Sequence, residues 1–127
     1  MKSGMIELPK SSKPIICICG SRDITDINLD LFIDPAHVGC VISGGANGID
    51  TLAEHWAKRN KIEFIAYLAQ WNKFGKKAGI MRNHEMVEFC DYVFAFWNGK
   101  SKGTLDTILY AKKLNVPIFV HLIKEMD

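Results

Sequence analysis

The sequence predicts an α/β protein built on a doubly wound parallel sheet, and three observations predict it. Short apolar runs rich in β-branched residues recur along the chain, each closed by glycine or polar residues. Segments with a helical apolar stripe lie between them. Small and polar residues collect immediately after the runs. Runs of this length read as strands, and strands alternating with helices need the crossovers of a parallel sheet.

The first strand is expected at 14–19, a near-continuous apolar run ending at Gly20. A run closed by glycine and apolar throughout suits a strand covered on both faces. The second is expected at 38–43, before Gly44 and Gly45, and the third at 62–68. The fourth is expected at 92–97, before Asn98 and Gly99, and the fifth at 117–123. Ile49, Leu52, Ala53, Trp56 and Ala57 fall on one stripe of a helix facing a sheet. Helices are also expected at 78–90, at 104–114 and, as a short element, at 25–32. Three layers result, with helices on both faces of about five strands.

Length and composition set the frame. The 127 residues suit one domain at 14–127 behind an N-terminal arm at 1–13. Charged residues make up 24% of the chain and the net charge is +2, too balanced for a dedicated nucleic-acid binder. DNA is therefore disfavoured as a partner. Cys17, Cys19, Cys40 and Cys90 all sit in apolar stretches without metal-ligand spacing, which suits buried thiols in a cytoplasmic protein. No metal and no cofactor is expected. The N-terminal residues carry no long apolar run, so neither a membrane span nor a signal peptide is expected. Apolar helix faces and Trp56 leave room for a homo-oligomer.

In doubly wound sheets, ligands bind beyond the carboxyl ends of the strands. Four segments qualify here: 20–23, 44–50, 69–79 and 98–106. Gly44, Gly45, Ala46 and Gly48 lead into a helix, where backbone N–H groups and the helix dipole favour an anion. A plain strand-to-helix turn explains the same glycines equally well. Gly103 and Thr104 open the last helix in a similar way, with Thr104 either a cap or a phosphate contact. Trp71 is suited to covering a base, and the lysines beside it to a solvated loop. Arg22 and Arg82 are candidate phosphate contacts, since guanidinium pairs with anions in bidentate fashion.

Several reactions are not supported. The dinucleotide fingerprint G-x-G-x-x-G is absent. Gly99, Lys100 and Ser101 imitate the end of a P-loop, but Phe94 stands where its first glycine belongs. The histidines show no ligand spacing, and Ser21 has no recognisable base partner.

Taken together, Gly20-Ser21-Arg22, Gly44-Gly45-Ala46-x-Gly48-x-Asp50-x-Leu52-Ala53, Trp71, Gly75-x-x-Ala78-Gly79-x-x-Arg82-Asn83-x-x-Met86, Asp91 and Gly103-Thr104-x-Asp106 resemble the YspA-type, cpYpsA-related branch of the SLOG superfamily. The resemblance implies a Rossmann-like sheet of order 3-2-1-4-5. It also implies a nucleotide or nucleotide-derived ligand, such as a mononucleotide, ADP-ribose or a signal made from NAD, and adds Gly20, Ser21 and Asn83 to the site. The pattern is more distantly similar to the LOG nucleotide phosphoribohydrolases and to the DprA proteins. In the LOG pattern a catalytic glutamate falls at Thr107 of this sequence, with Asp106 one residue earlier. Two activities follow from the resemblance. One is a sensing or sequestering module that binds the nucleotide without turnover. The other is an N-glycosidase that releases a free base, with Arg82 orienting phosphate and Asp106 or Asp50 serving the ribosyl carbon.

Overall fold

The computed structural model describes residues 13–124. Five strands, β1 (Ile15–Gly20), β2 (Cys40–Ser43), β3 (Glu63–Ala66), β4 (Tyr92–Trp97) and β5 (Ile118–Leu122), form one sheet. All pairings are parallel and the order is β3-β2-β1-β4-β5, as the resemblance implies. Helices α1 (Ile49–Arg59), α2 (Trp71–Phe74), α3 (Ala78–Phe89) and α4 (Lys102–Lys113) make the remaining layers. The arrangement is a three-layer, Rossmann-like α/β/α fold. The expected N-terminal arm lies outside the described residues except for Lys13.

Side-chain alternation along the strands divides the core in two. Ile16 and Ile18 of β1, Val41 of β2 and Phe96 of β4 meet Ile49, Ala53, Trp56 and Ala57 of α1. Cys17 and Cys19, Cys40 and Ile42, and Val93 and Ala95 meet Met86 and Val87 of α3 and Ile108 and Ala111 of α4. The second face is lined largely by small side chains, so two helices pack there side by side. The four cysteines are all buried and unpaired. Burial, helped by the charge of Glu63, pushes the Cys40 thiol up to about 11, so it packs as a neutral side chain.

The short helix expected at 25–32 does not form. The β1–β2 crossover instead makes two 3₁₀ turns, Leu29–Leu31 and Pro35–His37. The cause is local. Asn28 Oδ1 accepts from Asp30 N–H, and Asp34 Oδ1 accepts from Ala36 N–H, both at 3.0 Å. Side chains that capture nearby backbone donors compete with α-helical hydrogen bonds. The apolar residues of the crossover still reach the core, with Ile24, Leu29 and Ile33 buried over the α1 side of the sheet.

Trp56 does not reach solvent. It is 1% exposed, and its Nε1 donates to Asp30 Oδ1 at 2.7 Å. The α1 stripe is spent on this chain's own sheet and crossover, which removes Trp56 as grounds for an oligomer. Among the described residues no helix is long and apolar enough to cross a membrane.

Candidate functional site

A cleft of about 600 Å³ opens at the carboxyl ends of β1, β2 and β4, at the point where strand order reverses. That volume falls within the roughly 300–1,000 Å³ of small-molecule sites. Each wall follows from a strand end and the local chemistry of the turn beyond it.

The first wall is the seam between β1 and β4. Ser21 is buried, its N–H donates to Phe96 O at 3.0 Å, and its Oγ accepts from Asn98 N–H at 3.1 Å. The serine therefore latches two strand ends together. Asn98 organises the turn beyond. Its side-chain N–H₂ donates to both oxygens of Asp23, at 3.0 and 3.1 Å. Its Oδ1 accepts from the N–H groups of Lys100 and Ser101, each at 2.8 Å.

The second wall is the start of α1. Gly48 has φ of 74°, a left-handed conformation that L side chains resist, and a Cβ there would sit 2.7 Å from the carbonyl carbon of Arg22. Gly44 is tight for another reason: a Cβ would lie 2.6 Å from Arg82 Nη1 and 3.0 Å from Asp50 Oδ2. The missing side chain lets Arg82 reach the backbone. Its Nη1 donates to Gly44 O at 2.6 Å and to Tyr67 O at 3.1 Å, while its Nε donates to Asn83 Oδ1 at 2.7 Å. Arg82 thereby ties the end of β2 to the residue beyond β3. Burial lowers the guanidinium pKa, partly offset by the nearby Asp50 charge.

Asp50 occupies the first turn of α1 and is itself buried. Its Oδ2 accepts from Ala46 N–H at 3.0 Å, and its Oδ1 lies 2.8 Å from Ser43 Oγ. Ser43 Oγ also lies 2.7 Å from Ile18 O. A hydroxyl has one hydrogen to donate. Ser43 thus donates to Ile18 O or to Asp50 Oδ1. Burial raises the Asp50 pKa against the hydrogen bonds and the Arg82 charge that lower it.

The third wall is the start of α4. Ser101 is its N-cap, with Oγ accepting from Thr104 N–H at 3.3 Å and lying 3.0 Å from Thr104 Oγ1. Trp97 Nε1 donates to Ser101 O at 3.0 Å and holds the turn in place. Helix α4 thus begins at Lys102, two residues before the sequence expectation, because Ser101 rather than Thr104 is the cap. Its first turn contains no acidic residue. A Cβ on Gly103 would meet nothing within 4 Å.

Trp71, at the start of α2, closes the far side of the cleft. The 69–79 segment is not a plain loop, since α2 and a 3₁₀ turn at Gly75–Lys77 precede α3. The indole lies over Gly79, where a Cβ would sit 3.1 Å from its Cη2, and Trp71 remains 51% exposed. A large aromatic side chain half-exposed at a cleft edge offers surface to a planar group. Lys76, Arg22 and Lys102 line the same space.

Of the residues singled out from the sequence, Gly20, Ser21, Arg22, Ala46, Asp50, Trp71, Arg82, Asn83, Gly103 and Thr104 come together on this cleft. Gly44, Gly45 and Gly48 do not line it; Gly44 and Gly48 are taken up by packing behind it. Asp106 is not on the cleft either. Its Oδ2 meets His84 Nε2 at 2.8 Å between α3 and α4. That contact belongs to a helix-to-helix seam in which the His84 ring stacks on Tyr110 at 3.7 Å and Tyr110 OH donates to Glu88. The 100° step between successive helical residues carries Thr107 into the cleft and turns Asp106 out of it. Asp91 is at the opposite end of the sheet, where its Oδ2 accepts from Ile15 N–H at 2.8 Å. Sequence reasoning missed Asn98, Ser101, Lys76 and Lys102. A signal for Ser101 was present, since serine three residues before a polar side chain at a helix start is capping chemistry.

Fold and cleft together define a Rossmann-like domain with its pocket at the sheet's switch point. Comparison with known proteins narrows this. The model of the family described as "YspA, cpYpsA-related SLOG family" (YAcAr) matches residues 14–74, from the start of β1 through α2. The Gene 61 protein of Mycobacterium phage D29 is 38% identical over 84 residues, covering 61% of this chain and 67% of that protein. The chain belongs to the YspA, cpYpsA-related SLOG family. Its fold is similar to that of DNA processing protein A (DprA) from Streptococcus pneumoniae, with a TM-score of 0.69 and 19% identity. The likeness covers 92% of this chain but 53% of DprA, so the chain spans about half of that protein's length. At that identity the likeness speaks for the fold alone.

Proposed function

We propose that the protein is a binding module for a nucleotide or nucleotide-derived ligand, acting in the cytoplasm to sense or sequester it. The phosphate sits at the start of α4 and the base against Trp71. One observation carries the reading. Gly103 lies in the first turn of a regular helix, lines the cleft, and has open space where its side chain would be. Glycine costs a helix about 1 kcal/mol relative to alanine, and no contact among the described residues calls for it. A ligand group approaching the backbone does. Ser101 takes the Thr104 N–H, which leaves those of Lys102 and Gly103 at a helix start with no carboxylate competing for them. Lys102, Lys76 and Arg22 add positive charge around the same space.

The N-glycosidase alternative has less behind it. Asp106 is engaged with His84 away from the cleft, and Thr107 is no acid–base group. Asp50 remains, a buried carboxyl with a raised pKa, but both its oxygens are already occupied within the fold. Calorimetric titration with AMP and with adenosine tests the reading. AMP should bind and adenosine should bind far more weakly. Failure of any mononucleotide or nucleoside diphosphate to bind would remove it. Recovery of free adenine from an incubation with AMP would replace the module with the hydrolase.

A further inference from the structure

The two edges of the sheet differ in charge. At one edge β3 carries Glu63, two residues after Lys61, and charge of this kind keeps an edge strand from pairing with another chain. At the other edge β5 reads Ile-Phe-Val-His-Leu, with no lysine and no acid in the strand. Pro117 O accepts from Val93 N–H at 2.9 Å, and Ile123 N–H donates to Trp97 O at 2.8 Å. By the two-residue alternation of a strand, the backbone groups of Phe119 and His121 also turn toward β4. Those of Ile118, Val120 and Leu122 turn outward, and among the described residues no strand meets them.

The surface around this edge is apolar. Phe119, Val120 and Leu122 are exposed on the strand. On α4, Thr104, Ile108 and Ala111 are buried toward the sheet, while Asp106 and Tyr110 meet α3. Helical spacing puts Leu105 and Leu109 on the side away from α3, and Leu109 is 55% exposed. Helix α3 packs on β1 and α4 on β4 and β5, so that side looks out past β5. Together the five side chains expose on the order of 400 Å² of apolar surface, the extent at which a patch marks an interaction site. An interface of standard size buries ~800 Å² per partner, a little over half of it apolar.

From this we infer that β5 is a self-association edge, and that it pairs with β5 of a second copy, antiparallel, across a two-fold axis at Val120. The strand's own symmetry selects the partner. With Val120 on the axis, it exchanges backbone hydrogen bonds with the partner's Val120. Ile118 does so with the partner's Leu122, and Leu122 with the partner's Ile118. Every outward backbone group of the strand is thereby satisfied. The side chains match on both faces. Toward α4, valine meets valine and isoleucine meets leucine. On the other face Phe119 stands opposite the partner's His121. That contact prolongs the rows in which Phe94 stacks on Phe119 and Phe96 on His121, at 5.0 and 5.2 Å. The axis turns the second copy end for end, so the two clefts open at opposite ends of one continuous sheet. The inference is therefore independent of what the clefts bind.

Sedimentation equilibrium of the full chain tests it, on wild type, Val120→Lys, Val120→Glu and an equimolar mixture of the two variants. Val120 is 41% exposed, so both variants should keep the wild-type circular dichroism spectrum. Wild type should have the mass of two chains. Either variant alone sets like charges opposite each other on the axis and should have the mass of one. The mixture should recover the mass of two, because only a pairing that sets residue 120 against residue 120 brings opposite charges together. A wild type with the mass of one chain overturns the inference. So does a Val120→Lys variant that keeps the mass of two, or a mixture that stays at one. If the variants unfold, amide hydrogen exchange on the wild type decides. Protection of the Ile118, Val120 and Leu122 N–H groups should be lost on dilution, and exchange that is equal at all protein concentrations overturns the pairing.

Discussion

The starts of α1 and α4 come from similar sequence, glycine followed by small and polar residues after a buried strand, yet they end as opposites. The α1 start is closed. Gly48 is committed to a left-handed turn against Arg22, Gly44 makes room for Arg82, and Asp50 supplies the negative charge that the helix dipole attracts. The α4 start is open. Its cap is a neutral serine, its first turn has no carboxylate, and Gly103 faces empty space. Glycine in a turn therefore signals close approach without saying what approaches. At α1 the visitor is the protein's own chain, and at α4 the protein provides none.

The contrast breaks most readily at Gly48. Gly48→Ala should lose about 3 kcal/mol of stability in chemical denaturation, from left-handed strain and the clash with the Arg22 carbonyl. A variant as stable as wild type would mean that packing does not explain the glycines of this turn. Arg82→Ala comes next. It strips a charged donor from the Gly44 and Tyr67 carbonyls, and about 2 kcal/mol should go with it. Arg82 is a tether between strand ends, so its loss should lower the unfolding midpoint even without ligand.

Gly103→Ala should move the other way. In open helical space the substitution should raise stability by about 0.5–1 kcal/mol, while AMP affinity falls because the new methyl intrudes where phosphate approaches. Gain of stability with undiminished affinity would sever the link between the open glycine and the ligand.

The smallest effect is electrostatic and belongs to Asp50. Its pKa in the fold is raised above the ordinary 3.8 by burial, so the folded state binds the proton more tightly than the unfolded chain does. The resulting stabilisation is complete below the unfolded value and is lost as pH rises through the raised one. Asp50→Asn cannot titrate and keeps the size of the side chain. The melting temperature of wild type minus that of the variant should therefore fall as pH rises from below the ordinary 3.8 through the raised value. A difference that stays constant or grows with pH would show that the carboxyl is not raised.

Much of the fold was legible in the sequence because strands covered on two faces write themselves as apolar runs. The strands at 14–19 and 92–97 are found within a residue of expectation, and the α1 stripe packs as its spacing requires. The strands expected at 38–43, 62–68 and 117–123 are shorter in the structure, since apolar residues such as Val38, Tyr67 and Ile123 lie before or after the ladder and pack there without pairing in it. The 25–32 segment misled because its apolar spacing allows a helix while Asn28 and Asp34 bind their own backbone. The site was legible at the level of which loops converge. It was not legible at the level of which side chains face inward, as Asp106 and Thr107 make plain.

What the sequence determined by itself was periodicity and punctuation: where strands and helices fall, and that four glycine-rich or polar segments follow them. Those are short-range properties, fixed by sterics and by the alternation of apolar residues within a few positions of one another. Tertiary structure decided the rest, because the deciding contacts join residues far apart in the chain. Gly44 meets Arg82, Ser21 meets Asn98, and Asp106 meets His84 across separations of 38, 77 and 22 residues. Only once the sheet has set those partners side by side is one glycine turn filled by the protein's own groups and the other left open.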